Sequence, residues 1–268
     1  MKFELLIIGN EILIGKTQDT NSHWIAKRVT KYGHQINRIT TIGDDVEIIA
    51  ELLKNVLKRK PDVIITTGGL GPTFDDLTLE GIAKGLDREL KLDNDAYESI
   101  KKAYENAYDK ELVKLKEMTK ERKKMAYLPE GSIPLPNLRG TAPGVKLEEN
   151  GVLIFVLPGV PNELKGMFNK VLKPFLKEEK GTFFEKGFSF SEIGESQIAP
   201  YVTELEEKHP DLWIKTHPKV GLAVKVEISI TCFNKENCEE QIDMVLQKLK
   251  KTVKKLGGKI QEEHIGLS

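Results

Sequence analysis

Acidic residues follow short apolar runs at three places in the first third of the chain, and glycine precedes them each time. Gly9-Asn10-Glu11 follows the run at 3–8, Gly43-Asp44-Asp45 follows 35–42, and a longer loop, Gly68-Gly69-Leu70-Gly71-Pro72-Thr73-Phe74-Asp75-Asp76, follows 62–67. A fourth apolar run, 152–157, ends in Pro158-Gly159-Val160-Pro161. Gly68, Gly69 and Gly71 permit positive φ and let backbone N–H groups approach an anion closely. A helix starting after that loop turns its positive end to the same point, which suits a phosphate, and Thr73 and Thr78 add hydroxyl groups. Asp75 and Asp76 have the wrong sign for a phosphate unless a divalent cation lies between, and oxygen ligands beside phosphate are what Mg²⁺ or Mn²⁺ prefers. Each acid also has a plainer role open to it. Asp75 or Asp76 can cap the next helix, Asp44 or Asp45 can cap one starting at Val46, and Glu11 can be an exposed loop acid. Acids on three neighbouring strand ends repel one another unless they share a metal or a proton, which tips the reading toward a site.

The elements that must position these residues alternate in period. Residues 3–8, 35–42 and 62–67 read as strands. Residues 21–32 read as a helix with Trp24, Ile25, Val29 and Tyr32 on one side and Asn21 or Ser22 as its cap, and 46–57 is apolar at helical spacing. Strand and helix in alternation mean βαβ units and a parallel sheet, in which ligands bind at the carboxyl ends of the strands. All four loops therefore face one rim. Residues 93–124 are charge-laced, with Tyr97, Ile100, Tyr104, Leu112, Leu115 and Met118 as apolar positions for one or two amphipathic helices. Residues 145–147 and 152–157 form a hairpin around Glu149-Asn150-Gly151, and a helix over 161–176 closes the first domain. The boundary falls near 177–181. Beyond it the order is strand (183–190), helix (195–208), strand (212–216), strand (220–232), helix (235–256) and a short strand at Lys259-Ile260, a ferredoxin-like or KH-like order. The expected fold is thus α/β: a mostly parallel sheet flanked by helices over 1–176, and a smaller α+β domain over 182–262.

Composition narrows the function classes. The 268 residues carry 41 basic and 41 acidic side chains, and that balance argues against a protein built to grip nucleic acid. The 39% hydrophobic content suffices for a core in a chain this long. No apolar run approaches the roughly 20 residues of a membrane helix, and the N-terminus lacks a small-residue cleavage site, so a cytoplasmic protein is expected. Cys232 and Cys238 read as reduced thiols, too few for a disulfide framework or a zinc site of four cysteines. His23, His34, His209, His217 and His264 show no paired metal spacing. The lysine run at 248–255 reads as a solvated helix face. Gly194-Glu195-Ser196-Gln197 lacks the second glycine of an RNA-clamping GxxG loop.

Taken together, the motifs resemble those of the CinA family (competence/damage-inducible protein A). The matching residues are Gly9-Asn10-Glu11-Ile12-Leu13 with Gly15, Asp19 and Asn21, and Thr66-Thr67-Gly68-Gly69-Leu70-Gly71-Pro72-Thr73 with Asp75, Asp76 and Thr78. Asn137 with Gly140-Thr141-Ala142-Pro143-Gly144, Leu157-Pro158-Gly159-Val160-Pro161 with Glu163, and Gly194-Glu195-Ser196 complete the set. The resemblance implies a first domain of the MogA/MoaB type, where a glycine loop holds pterin or nucleotide phosphate and an aspartate just beyond it is functional. Asp76 matches that aspartate and Asp44 a second one. Leu70 stands where the molybdenum-cofactor proteins have Thr, which weakens the pterin reading. The activity implied instead is a metal-dependent hydrolase cutting ADP-ribose to AMP and ribose 5-phosphate. Full-length bacterial members carry a further deamidase domain that this chain is expected to lack. Asp76 and Asp44 are the expected catalytic residues. Gly68, Gly69, Gly71, Thr73, Thr78, Asn21, Pro158 and Gly159 are expected to bind the nucleotide, and Asp75, Asp76 and Glu11 to hold Mg²⁺, Mn²⁺ or Co²⁺. A molybdopterin-binding or adenylating protein and a nucleotide sensor without turnover are the alternatives. The expected partners are a small nucleotide and further copies of the chain, in a dimer or trimer.

Overall fold

The structure is a computed structural model that describes residues 1–179, 181–219 and 225–265. It divides into two units, one formed by Met1–Val29 with Gln35–Glu179 and the other by Thr30–His34 with Lys180–Ser268.

In the first unit, β1 (Lys2–Ile8), α1 (Asn10–Leu13), α2 (Asn21–Lys31), β2 (Gln35–Ile42), α3 (Val46–Arg59), β3 (Val63–Thr67) and α4 (Thr78–Gly85) alternate as the periodicity predicts. A short strand β4 (Leu90–Leu92), helices α5 (Asn94–Asp109) and α6 (Lys120–Lys124), and strands β5 (Tyr127–Pro129) and β6 (Ile133–Leu135) follow. The hairpin β7 (Gly144–Glu149) and β8 (Val152–Leu157) leads into α7 (Pro161–Met167), a π turn at Phe168–Leu172, and α8 (Lys173–Glu178). One sheet runs β2-β1-β3-β8-β7-β6. Its first four strands are parallel, while β7 and β6 run antiparallel to their neighbours. β3 is buried along its whole length, as the middle of a sheet covered on both faces must be. Ile49, Leu53 and Val56 of α3 pack with Ile82 of α4 and Ile64 of β3 in the core. The 93–124 segment is two helices with its apolar positions split: Ile100 and Tyr104 are buried, whereas Leu112 and Leu115 are exposed.

The second unit holds β9 (Phe183–Ser191), α9 (Glu195–Lys208), β10 (Leu212–Lys219), β11 (Lys225–Phe233), α10 (Cys238–Lys255) and β12 (Lys259–Ile265). Its antiparallel sheet has the order β10-β11-β9-β12. A βαββαβ chain laid out in that order is ferredoxin-like, which settles the choice left open by the sequence. The first part of the strand predicted at 220–232, residues 220–224, lies outside the described residues, as does Lys180 of the predicted boundary segment. One expectation is overturned here. Cys232 and Cys238 are not free thiols but form a disulfide, with Cα atoms 5.7 Å apart. The end of β11 and the start of α10 meet across a tight connection, within the range a disulfide spans. Among the described residues no helix is long and apolar enough to cross a membrane.

Candidate functional site

The four parallel strands end side by side, and the loops after them share one rim. The amide of Gly9 donates to Ile42 O (3.0 Å) and that of Gly68 to Leu157 O (3.1 Å), so the strand ends are tied together where the loops leave the sheet. A cavity of about 480 Å³ opens there, lined by Gly9, Glu11, Asp44, the loop 68–73, Asp75, Asp76, Pro158, Gly159 and Glu163.

The glycine loop keeps its shape for steric reasons. Gly68 has φ +103° and a Cβ there would lie 2.0 Å from Ile8 O; Gly69 has φ +64° and its Cβ would lie 2.2 Å from Thr78 Oγ1. Only glycine meets both demands. The loop's donors divide into spent and unspent. Gly68 N serves the sheet, Thr73 N donates to Asp76 Oδ2 (2.8 Å), and Thr78 N donates to Gly69 O (3.2 Å). Among the described residues, none accepts a hydrogen bond from the amides of Gly69, Leu70 or Gly71. These three, next to the N-terminus of α4, form a concavity of the kind that can hold an anion.

Two expected phosphate ligands change role. Thr78 is buried and its hydroxyl donates to Gly68 O (2.8 Å), so it braces the loop from behind and offers nothing to a ligand. The Thr73 hydroxyl lies within hydrogen-bonding reach of both Asp75 and Asp76 Oδ2, and its single hydrogen serves one at a time. That bond is the main reason the Asp75 carboxyl titrates below its ordinary value. Neither aspartate caps α4, whose first turn follows Leu77 without a side-chain cap. Asp76 instead closes the loop on itself through Thr73.

The Asp44-Asp45 pair separates cleanly. Asp45 caps α3, accepting from Glu47 N (2.9 Å) and Ile48 N (3.0 Å). Asp44 is left to face the cavity, with Oδ2 accepting from Asn10 N (2.8 Å). Burial raises its pKa above the ordinary 3.8, the Asn10 amide opposes this, and the negative charges of Glu11, Asp75 and Asp76 push it up further. The acids of three strand ends do feel one another. They do not, however, converge on a point. Among the described residues, no group of three or more His, Cys, Asp or Glu side chains is placed to hold a metal by itself. The triad Glu11, Asp75 and Asp76 is therefore not a ready-made cage.

Asn21 positions the rim, and does not cap α2. Asp19 Oδ1 caps that helix, accepting from the amides of Asn21 and Ser22 (3.0 Å each). Asn21 Nδ2 donates to Gly159 O (2.7 Å), while its buried Oδ1 has no partner among the described residues. Gly159 packs closely on the glycine loop: a Cβ there would lie 3.3 Å from Gly68 Cα, a tight contact. Glu163 adds a carboxylate that spacing alone does not single out. It lines the cavity, and Asn137 Nδ2 holds it at 2.7 Å while also donating to Ala142 O (2.9 Å). The signal was the pairing of Asn137 with the glycine at 140, where a Cβ would strike the Glu163 carboxylate.

A parallel sheet whose carboxyl rim carries a glycine loop, open amides and flanking acids is a small-ligand-binding α/β domain. A family model described as "Probable molybdopterin binding domain" matches residues 4–178. A protein of Sulfurisphaera tokodaii is 41% identical over 262 residues, spanning 96% of this chain and 97% of its own length. A protein of Pyrococcus abyssi is 42% identical over 245 residues, spanning 91% and 96%. The crystal structure of the protein CinA of Thermoplasma acidophilum, described as having unknown function, superposes with a TM-score of 0.59 at 36% identity, covering 65% of this chain and 98% of that one. The chain belongs to this molybdopterin-binding-domain family and is CinA-like.

Proposed function

We propose that the chain is a metal-dependent nucleotide pyrophosphatase that cuts ADP-ribose to AMP and ribose 5-phosphate. The observation that carries this reading is the pairing of three unspent amides, Gly69 to Gly71, with Asp44, Asp75, Asp76 and Glu11 around one cavity. Amides alone would suit any anion. Acids alone would repel one. Both together suit a phosphate that arrives with a cation. Mg²⁺ is commonly held by one or two carboxylates plus the substrate's own phosphate oxygens. Asp76, with Asp75 or Glu11, would hold the cation. When bound it would neutralise phosphate charge and lower the pKa of a coordinated water.

The chain's own groups do the rest. The amides of Gly69 to Gly71 hold phosphate oxygens and stabilise charge that develops on them. Asp44, held in place by the Asn10 amide, takes a proton from the attacking water, and its raised pKa suits a base better than an ordinary carboxylate. Asn21 fixes Gly159 at the rim, and Asn137 fixes Glu163.

The second reading, binding or adenylation of molybdopterin, is favoured by the family match over residues 4–178. Incubation with ADP-ribose and Mg²⁺, Mn²⁺ or Co²⁺, followed by chromatography, separates the two. Release of AMP supports the hydrolase. No AMP with tight molybdopterin binding favours the second reading, and tight nucleotide binding with no product marks a sensor.

A further inference from the structure

A second cavity, of about 750 Å³, lies against the glycine loop and shares Gly69 to Thr73 and Asp76 with the first. No role in the proposed hydrolysis falls to it. Its lining is the more apolar of the two. Buried Leu79 and Met125 and half-buried Leu90 form apolar lining, with the aromatic rings of Phe74 and Tyr127 beside them. Phe74 is 91% exposed, although its neighbour Thr73 is hydrogen-bonded to Asp76. A large apolar side chain left in water beside an apolar hollow gains by being covered.

The elements that build this hollow are fixed in place. The pair β4 and β5 sets Leu92 opposite Tyr127 and Leu90 opposite Pro129. α6 is capped by Thr119 and anchored by Arg122, whose guanidinium stacks on Tyr104 at 3.6 Å and donates to the carbonyls of Leu115 and Glu117. With Arg122 held there, Lys120, Lys123 and Lys124 line the cavity, and Lys124 Nζ donates to Thr73 O (3.1 Å). Glu80 and Glu121 line it as well, and Lys124 Nζ lies 3.8 Å from Glu80, so the polar fringe is mixed in charge. An apolar hollow with aromatic rings and such a fringe suits a flat, polar-edged ring.

We propose that this second cavity is the base-binding half of the site: it takes the planar base of an adenine-type nucleotide, against Phe74 and Tyr127, while the pyrophosphate of the same molecule lies over Gly69 to Gly71. The proposal rests on the reading that the acid-lined cavity takes the pyrophosphate. The shared loop explains why both halves can serve one ligand, since residues 69–73 border both hollows.

Calorimetry on the full chain with Mg²⁺ tests this, using ADP-ribose and inorganic pyrophosphate as separate probes. Phe74→Ala and Tyr127→Ala should each weaken ADP-ribose binding by about tenfold, the scale of one lost aromatic–base stack, and leave pyrophosphate binding unchanged. Tyr127 lies off the loop, so its variant decides the matter if Phe74→Ala disturbs the loop and weakens both probes. ADP-ribose binding unaffected by Tyr127→Ala, with pyrophosphate still bound, overturns the base site and leaves the pyrophosphatase reading standing. Failure of both probes to bind the wild-type chain overturns both. A pterin that competes with ADP-ribose in wild type but is indifferent to Tyr127→Ala also counts against an adenine-type occupant.

Discussion

At the scale of single residues, adjacent identical side chains have different tasks. Asp45 is spent on the first turn of α3, and Asp44 is turned into the cavity with a raised pKa. The sign of that shift gives a paired expectation. A carboxyl whose folded pKa is raised holds its proton more tightly in the folded chain, so folding loses free energy as pH rises from the ordinary 3.8 through the folded value. Asp44→Asn should therefore raise the melting temperature of the ligand-free protein at neutral pH and lose that advantage in acid, while removing turnover. A thermal shift that is equal at both pH values would show that Asp44 carries no such strain. In the wild type, the acid limb of the activity profile should lie above the ordinary 3.8 and move down as metal concentration rises, because a cation favours the charged form. Asp76→Asn separates loop bracing from cation binding. An amide oxygen can still accept from Thr73, so the fold should persist, yet turnover should fall about 10²-fold or more, as it does when a charge stabiliser of the transition state is lost. Wild-type turnover in that variant would take Asp76 out of the site. The sequence pointed to these acids because each follows a glycine at a strand end. It could not tell Asp44 from Asp45, since either residue type caps a helix and only backbone geometry assigns the cap.

At the scale of elements, the glycine loop was legible and its internal wiring was not. Gly68, Gly69 and Gly71 announced a tight turn. That Thr78 would brace it from behind, and that Asp76 would occupy Thr73, depended on where α4 begins. Gly69→Val tests the turn directly: a β-branched residue at φ +64°, with its Cβ 2.2 Å from Thr78 Oγ1, cannot keep this backbone. Binding of pyrophosphate should be lost while the circular dichroism of the rest of the chain persists; retained binding would place the anion elsewhere. The apolar cavity escaped a reading of motifs because its walls come from α4, β4, α6 and β5, joined by contacts such as Leu90 with Pro129 and Lys124 with Thr73 and by no local pattern. The disulfide escaped for a related reason. Two cysteines six residues apart look like a strand end and a helix start, and only their meeting across that turn makes a bond. Closing so small a loop should contribute roughly 2 kcal/mol on the chain-entropy model. Urea unfolding with and without reductant should differ by about that amount, and coincident curves would mean the bond adds nothing to stability.

At the scale of the whole molecule, the chain separates into units of different character. Every residue lining the two cavities belongs to the first unit, within residues 8–163. The second unit is a ferredoxin-like sheet with its own core of Phe188, Phe190, Ile228, Ile230 and Val245, and it also claims the short stretch Thr30–His34. Tyr32 O accepts from Gly181 N (3.0 Å) and Gly33 O from Asn234 Nδ2 (2.9 Å). A chain cut after residue 179 therefore loses the partners of 32–33 and should melt at a lower temperature. Its sheet, its four rim loops and α6 remain intact, so it should bind ADP-ribose and pyrophosphate with the affinity of the full chain. Calorimetry on the truncated protein, with circular dichroism as the control for folding, checks both parts. A truncated protein that is folded yet binds neither probe would mean that a residue beyond 179, from the same chain or another copy, completes the site. Lys215 and His217, the polar end of β10, would then be the first side chains to substitute.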